Sequence, residues 1–155
     1  MAKLMYKNQG CGLAAPQVGI SKRLIVVDCD QEDGKKDPIF FINPEIVERG
    51  GDEVECDEGC LSIPGISIPI KRYEQVTVEA LDLNGITFRV EADDFLARCL
   101  QHEIDHLDGR TMFEHLNPIK RIEAFQEYEA ALAAGAKPGD TGQELEGRSS
   151  AVMAE

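Results

Sequence analysis

Apolar and polar residues alternate over much of the first ninety positions, and a period of two is typical of β-strands. We expect a buried strand in "RLIVVDC" (23–29) and a second in "PIFFINPEIV" (38–47), interrupted near Asn43-Pro44. Two alternating runs flank Asn84-Gly85, which predicts a hairpin with a tight turn of positive φ. The small residues of "CGLAAPQVG" (11–19) predict a shaped loop.

The period changes at "DDFLARCLQHEIDHLDG" (93–109), where apolar residues recur at helical spacing. Asp93 or Asp94 can cap the start of this helix and Gly109 can end it. A second helix is expected from Asn117-Pro118 to about Ala134. Residues 135–155 lack periodicity and predict a disordered tail after a domain of residues 1–134. The order predicts an α+β fold, with antiparallel strands and a β-hairpin packed around a central helix and a C-terminal helix.

The composition narrows the range of functions. A length of 155 residues fits one domain, and the net charge of −13 argues against tight binding to DNA or RNA. No apolar run approaches the roughly 20 residues of a membrane span, and "MAKLMYKNQG" is too short and polar for a signal peptide. Five cysteines without a secretory signal favour a reducing compartment. We therefore expect a cytoplasmic protein that contacts neither DNA nor membrane.

Candidate chemistry begins with "HEIDH", in which His102 and His106 lie four residues apart with Glu103 between them. On a helix both imidazoles project from one face, with Cβ atoms about 5–6 Å apart. All three side chains fall within or beside the apolar arc, so we expect them to face the core. A metal ion would satisfy two buried imidazoles, although surface histidines or hydrogen-bonded core histidines would give the same pattern.

The residues alone leave the third metal ligand open. His115 fits no familiar spacing, and Glu123 or Glu127 on the next helix would indicate a metalloprotease, although that helix is rich in charge. Cys60, in "DEGCLSIPG", could supply a thiolate, but a buried apolar cysteine is an equally good interpretation.

Three motifs, "GCGLAAPQ" (10–17), "EGCLS" (58–62) and "QHEIDHLDG" (101–109), resemble in sequence and order those of the peptide deformylase family. The resemblance extends from about Met5 to about Ala134. It implies that Cys60 is the third ligand of one divalent metal ion, with Fe²⁺ favoured and Zn²⁺, Ni²⁺ or Co²⁺ also suitable. It further implies removal of the formyl group from N-formylmethionyl peptides, which are nascent chains, with release of formate.

The resemblance also implies roles for individual residues. Glu103 would take a proton from water and pass it to the leaving amine, while Gln17 and the backbone N–H of Leu61 would stabilise the oxyanion. Glu58 would pair with Arg72 as structural support. The substrate-binding candidates are two glycines that allow close approach of the backbone and three cysteines that line a pocket or fill the core: Gly10, Gly12, Cys11, Cys56 and Cys99.

Two expectations concern the ends of the chain. Relatives carry several dozen residues before the first motif, whereas here nine residues precede Gly10, so we expect lower stability than in a version extended by a helix. Residues 118–155 hold four basic and seven acidic side chains, which predicts weak contact with the ribosome. A metal-binding or peptide-binding protein without turnover stays open as an alternative to an enzyme.

Overall fold

The computed structural model describes residues 1–140 and the backbone of one further short strand, Val152–Met153. The α-helices are α1 (Ala2–Lys7), α2 (Asp94–Leu107) and α3 (Pro118–Ala133). The strands are β1 (Gly12–Ala14), β2 (Leu24–Val27), β3 (Ile39–Cys60), β4 (Ile63–Leu81), β5 (Thr87–Asp93) and β6 (Val152–Met153). The predicted α+β class, with antiparallel strands around a central helix and a C-terminal helix, is confirmed.

The sheet follows the chain, with strand order β1-β2-β3-β4-β5 and every neighbouring pair antiparallel, while β6 pairs in parallel with β3. The segment predicted as a loop forms β1 and then a 3₁₀-helix, Ala15–Val18. The prediction of a loop was wrong over Gly12–Ala14, because the pairing of these residues with Ile25–Val27 lies outside the local sequence.

Strand β3 is much longer than its sequence pattern indicated, since it continues from Ile39 to Cys60 along β4. The predicted interruption is present as a register shift between Ile42 and Glu45, where Asn43 has a φ of 51°. Further register shifts divide the rest of the ladder, and most of residues 48–57 are exposed. A polar, bulged strand of this kind lacks the apolar alternation by which strands are predicted.

The hairpin between β4 and β5 is confirmed, but its turn is longer than predicted. Leu81 pairs with Thr87, which leaves five residues in the loop, and only Gly85 among them has a positive φ, of 77°. The Asp82 carboxylate accepts hydrogen bonds from the backbone N–H groups of Asn84 (2.8 Å) and Ile86 (2.9 Å). These hydrogen bonds from the backbone to a side chain stabilise the wider loop.

Helix α2 packs across the sheet and carries the polar residues of the candidate site. Asp93 is at the N-cap position but its side chain makes no capping hydrogen bond, contrary to expectation, whereas Gly109 follows the helix with a φ of 75° as predicted. Gln101 fastens α2 to β4, because its side chain bonds both the N–H (3.1 Å) and the carbonyl (2.9 Å) of Tyr73. The apolar face of α2 packs against Ile25, Val27, Phe41, Val76 and Val78.

The remaining helices pack on other parts of the sheet, α1 against β1 and α3 against β4. Helix α1 buries Met5 against Leu13 and Leu61, which gives this short helix the packing partners it needs. Helix α3 begins as predicted, with the Asn117 side chain accepting from the Lys120 N–H (2.9 Å). Among the described residues, no helix has the length and apolar character needed to cross a bilayer.

The predicted division into a domain of residues 1–134 and a disordered tail stays a prediction. The first part of that tail is described, and the N–H of Gly65 donates to the carbonyl of Asp140 (2.8 Å). The backbone of β6 pairs with Gly59 and Cys60. The other residues after position 140 lie outside the described part of the chain.

Candidate metal centre

A sulfur atom and two imidazole nitrogens converge where the end of β3 meets α2. His102 and His106 project from one face of α2, with their Nε2 atoms 3.1 Å apart, and Cys60 Sγ lies 3.6 Å from His106 Nε2. All three side chains are buried, and their donor atoms lie within 4.8 Å of one another. The helical spacing therefore brings the histidines together, and the sheet adds the cysteine.

The orientation of His102 is set by a buried carboxylate. Its Nδ1 lies 2.8 Å from Glu58 Oε1, and Glu58 is also bound by Arg72 through Nε (2.8 Å) and Nη2 (3.0 Å). Burial by itself would raise the pKa of Glu58, but the hydrogen bonds from His102 and Arg72 outweigh it and lower the pKa to about 2. A carboxylate only accepts hydrogen bonds, so Nδ1 of His102 carries the proton. The lone pair on Nε2 of His102 is then directed towards Cys60 Sγ and His106 Nε2.

Two residues that sequence reasoning did not assign extend this network. Asp105 Oδ2 lies 2.5 Å from Arg72 Nη1 and 2.7 Å from His115 Nε2. Burial opposes ionisation of Asp105, yet His115 and Arg72 lower its pKa to about 2. The third histidine thus belongs to the support of the site rather than to its donor set. The sequence held no signal for this, because Arg72 lies on β4 and His115 in a 3₁₀-helix after α2.

The donor set suits a divalent metal ion. Burial lowers the pKa of His106 to about 3, so its imidazole is neutral and can coordinate. His102 is held in the carboxylate–imidazole arrangement that usually accompanies a metal ligand. One thiolate and two neutral imidazoles match the sulfur and nitrogen ligands of Zn²⁺ and related ions, and three protein ligands leave a position open.

Glu103 lies on the same helix, completely buried, next to the backbone of the first motif. A β-carbon at Gly12 would lie 2.9 Å from Glu103 Cγ and 3.0 Å from Glu103 Oε1, closer than side chains normally approach. Gly12 is therefore needed at this position to admit the glutamate. We expected Gly12 to allow approach of the substrate, whereas the close approach that the structure contains is to Glu103.

Comparison with known proteins agrees with this geometry. Residues 1–122 match the model of the polypeptide deformylase family. The chain is 50% identical over 121 residues to the peptide deformylase of Thermodesulfovibrio yellowstonii, covering 78% of this chain and 73% of that protein. It is 48% identical to peptide deformylase 1 of Shewanella oneidensis, covering 88% and 80%. The chain belongs to the peptide deformylase family.

Solved structures of peptide deformylases have the same fold. The enzyme of Legionella pneumophila superposes with a TM-score of 0.78 at 41% identity, covering 97% of this chain and 80% of that one. The enzyme of Synechococcus elongatus, solved in complex with actinonin, gives a TM-score of 0.75 at 47% identity, covering 80% and 68%. The predicted family, fold class and enzyme class are thereby confirmed.

Within this deformylase fold, Gln17 reaches the donor set from the first motif. Its Oε1 accepts the Ala14 N–H (2.9 Å), and its Nε2 lies 2.9 Å from Ser62 Oγ and 3.2 Å from His106 Nε2. One end of the amide is thus anchored to backbone, and the other end points at His106 of the candidate donor set. Leu61 follows Cys60 in the turn between β3 and β4 and is itself buried.

The other residues predicted to bind substrate lie outside the group of Cys60, His102 and His106. Gly10 is buried just before β1, and Cys56 lies on β3 opposite Ile70, and their predicted contact with substrate stays a prediction. Cys11 and Cys99 lie in a different cluster of sulfur atoms. The third member of that cluster is Cys29, which the sequence did not indicate as a site residue.

The alternative metalloprotease ligands do not join the site. Glu123 and Glu127 are exposed on α3, and among the described residues the group that converges on the two histidines contains Cys60 alone. The metalloprotease interpretation is therefore wrong for this chain, in agreement with its family.

Proposed function

We propose that this peptide deformylase hydrolyses the formyl group from the N-terminal N-formylmethionine of newly made polypeptides by using a divalent metal ion held by Cys60, His102 and His106. The observation that supports the ligand assignment is the convergence of the three buried donor atoms within 4.8 Å. The measurement that tests the activity is release of formate from a formyl-methionyl peptide. A protein that loads metal but releases no formate would instead be a binding protein without turnover.

When bound, the metal ion would act as a Lewis acid that lowers the pKa of water towards about 7. The family favours Fe²⁺, and Zn²⁺, Ni²⁺ and Co²⁺ suit the same sulfur and nitrogen donors. Glu58 and Arg72 contribute indirectly, because they hold the tautomer and the ring of His102 in the orientation described above.

Glu103 is the proton carrier in this proposal. Its carboxylate takes a proton from the attacking water as the water oxygen bonds to the formyl carbon. When the bond from carbon to nitrogen breaks, Glu103 gives the proton to the amine, so that formate and a free amino terminus leave. Its burial on α2 between the two histidines, against Gly12, gives this carboxylate a fixed position beside the donor set.

Gln17 and the backbone N–H of Leu61 are the proposed donors to the oxyanion that forms on the formyl oxygen. The anchored amide of Gln17 supports this role, because a donor that is already oriented stabilises charge without reorganisation.

We expect Gln17→Glu to lower kcat by about 10²–10³-fold with a smaller change in KM, because the carboxylate keeps the acceptor for Ala14 but removes the donor. Steady-state formate release measures both constants. Ser62→Ala is the control, since it removes a partner of Gln17 and leaves the donor in place. If both variants lost activity equally, Gln17 would act only through its contact with Ser62.

A second expectation concerns the buried ion pair that supports His102. Arg72→Met leaves Glu58 buried without its bidentate partner, so the free energy of unfolding should fall by about 3–5 kcal/mol. Arg23→Met is the matched control, because the Arg23–Asp108 pair is exposed and should change stability by about 1 kcal/mol or less. Urea unfolding of the metal-free proteins at neutral pH compares them. Equal losses would show that burial does not distinguish the two pairs.

The substrates proposed are nascent chains in the cytoplasm. Contact with the ribosome is expected to be weak, because the net charge of −13 and the acidic C-terminal region oppose binding to RNA phosphates. Tight co-sedimentation with ribosomes at physiological salt would contradict this.

A further inference from the structure

Three cysteine side chains meet where the start of β1, the end of β2 and helix α2 pack together. Cys11 immediately precedes β1, Cys29 follows β2, and Cys99 lies on α2, and their sulfur atoms are all within 4.8 Å of one another. The antiparallel pairing of β1 with β2 brings the first two together, and the Asp28 N–H donates to the Cys11 carbonyl (2.8 Å). None of these cysteines is in a disulfide.

The cluster is separate from the proposed catalytic donor set and shares no residue with it. It is nevertheless close to Glu103, because Cys99 lies one helical turn before that residue. A β-carbon at Gly12 would be only 3.0 Å from Cys99 Sγ and 2.9 Å from Glu103 Cγ. A ligand that binds the three sulfurs would therefore hold β1, β2 and α2 together next to Glu103.

The spacing and the chemistry of the sulfurs suit a metal ion. Zn²⁺ binds thiolate sulfur at about 2.3 Å, so two sulfurs on one ion lie roughly 3.8 Å apart, which small side-chain rotations would reach here. Hydrogen bonds from the Cys11 and Cys99 thiols lower the pKa of the Cys29 thiol. A bound cation would displace the thiol protons from all three sulfurs.

A route for cations leads to the cluster. Cys29 is partly exposed and lines an open cavity of about 450 Å³. The described residues that line this cavity include five aspartates and no lysine or arginine: Asp28, Asp30, Asp37, Asp93 and Asp94. Negative charges in a cleft raise the local concentration of cations, and this cavity reaches the cluster at Cys29.

We propose that Cys11, Cys29 and Cys99 form a second metal site, which binds a thiophilic d¹⁰ cation, Zn²⁺ or Cu⁺, independently of the catalytic metal. Zn²⁺ would leave less net negative charge on the three thiolates, and water from the aspartate-lined cavity would complete its four ligands. Cu⁺ would leave more negative charge but accepts three sulfur ligands without a fourth. The proposed role of the site is structural, because it links β1, β2 and α2.

Metal stoichiometry tests the proposal on the full-length chain, stripped of metal and handled without oxygen. Zn²⁺ is titrated against a chromogenic chelator, and Cu⁺ against a Cu⁺-selective chelator under reducing conditions. For whichever cation occupies the cluster, we expect Cys29→Ser to bind one ion fewer than the unmodified chain. Cys56 is a partly exposed cysteine outside both clusters, so the Cys56→Ser variant should bind as many ions as the unmodified chain. Equal stoichiometry in all three proteins, for both cations, would overturn the proposal.

A second test, alkylation of the chain without any substitution, does not depend on whether a variant folds. Iodoacetamide should modify Cys29 in the metal-free protein, because the Cys29 side chain is partly exposed. Zn²⁺ or Cu⁺ at ten times its dissociation constant should slow that modification about tenfold, as measured by peptide mass spectrometry. Modification of Cys56 serves as the internal control. An unchanged rate at Cys29 with both cations would show that the three thiols are ordinary core residues.

Discussion

Glu103→Gln should lower the rate of formate release by about 10²–10⁴-fold while the protein keeps its metal. The amide has the same size as the carboxylate and fits the same buried space against Gly12, but it cannot accept the proton of water. Since Cys60, His102 and His106 are unchanged, the donor set remains complete. Steady-state turnover and metal analysis on the same preparation give both quantities.

Asp108→Asn provides the matched control for this experiment. It removes an exposed carboxylate at the end of the same helix, where Asp108 pairs with Arg23, and should leave turnover within about twofold. Near-normal turnover of Glu103→Gln would remove Glu103 from the mechanism. Loss of metal from that variant would instead give Glu103 a part in binding the ion.

Removal of the sulfur donor should have an equally large effect, because Cys60→Ala leaves only two protein ligands. Loss of a residue that only hydrogen-bonds to a metal ligand lowers metal affinity by about 10–100-fold. Loss of the ligand itself should lower the affinity for Fe²⁺ by more than that, and we expect formate release to fall to background. Anaerobic loading followed by metal analysis measures the affinity. The experiment belongs in a Cys29→Ser background, so that the three-thiol cluster does not contribute to the metal count.

Cys56→Ala in the same background is the control for Cys60→Ala. Cys56 lies on the same strand but outside the group of converging donors, so the variant should load Fe²⁺ normally. Retention of full metal affinity by Cys60→Ala would contradict the ligand assignment, whatever the outcome at the second cluster.

Local patterns along the chain predicted its local structure well. The apolar spacing of residues 93–109 predicted α2, and the Asn117-Pro118 pair predicted the start of α3, because helix periodicity and capping depend on residues three or four apart. The same spacing placed His102 and His106 side by side and buried Glu103 with them. Three short motifs in order indicated the family and so the cysteine that completes the donor set.

Patterns failed where a second segment determines the structure. β3 extends to Cys60 because β4 pairs with it, although its middle is polar and bulged. The turn around Asn84-Gly85 is wider than two residues because the Asp82 carboxylate bonds to its backbone. Neither feature depends on apolar alternation, so alternation did not predict it.

By itself, the sequence determined the hairpin, α2, α3 and the pairing of the two histidines and, through resemblance, the family; the same resemblance pointed to Cys60 as the third donor. Only the tertiary structure decided which distant side chains meet: Asp105 and His115 around Arg72, and the sulfurs of Cys11, Cys29 and Cys99. The physical reason is that a contact within one helix, such as that between His102 and His106, follows from the backbone geometry of five consecutive residues. A contact between segments dozens of residues apart depends on strand register and on how α2 packs across the sheet, and these are properties of the whole fold.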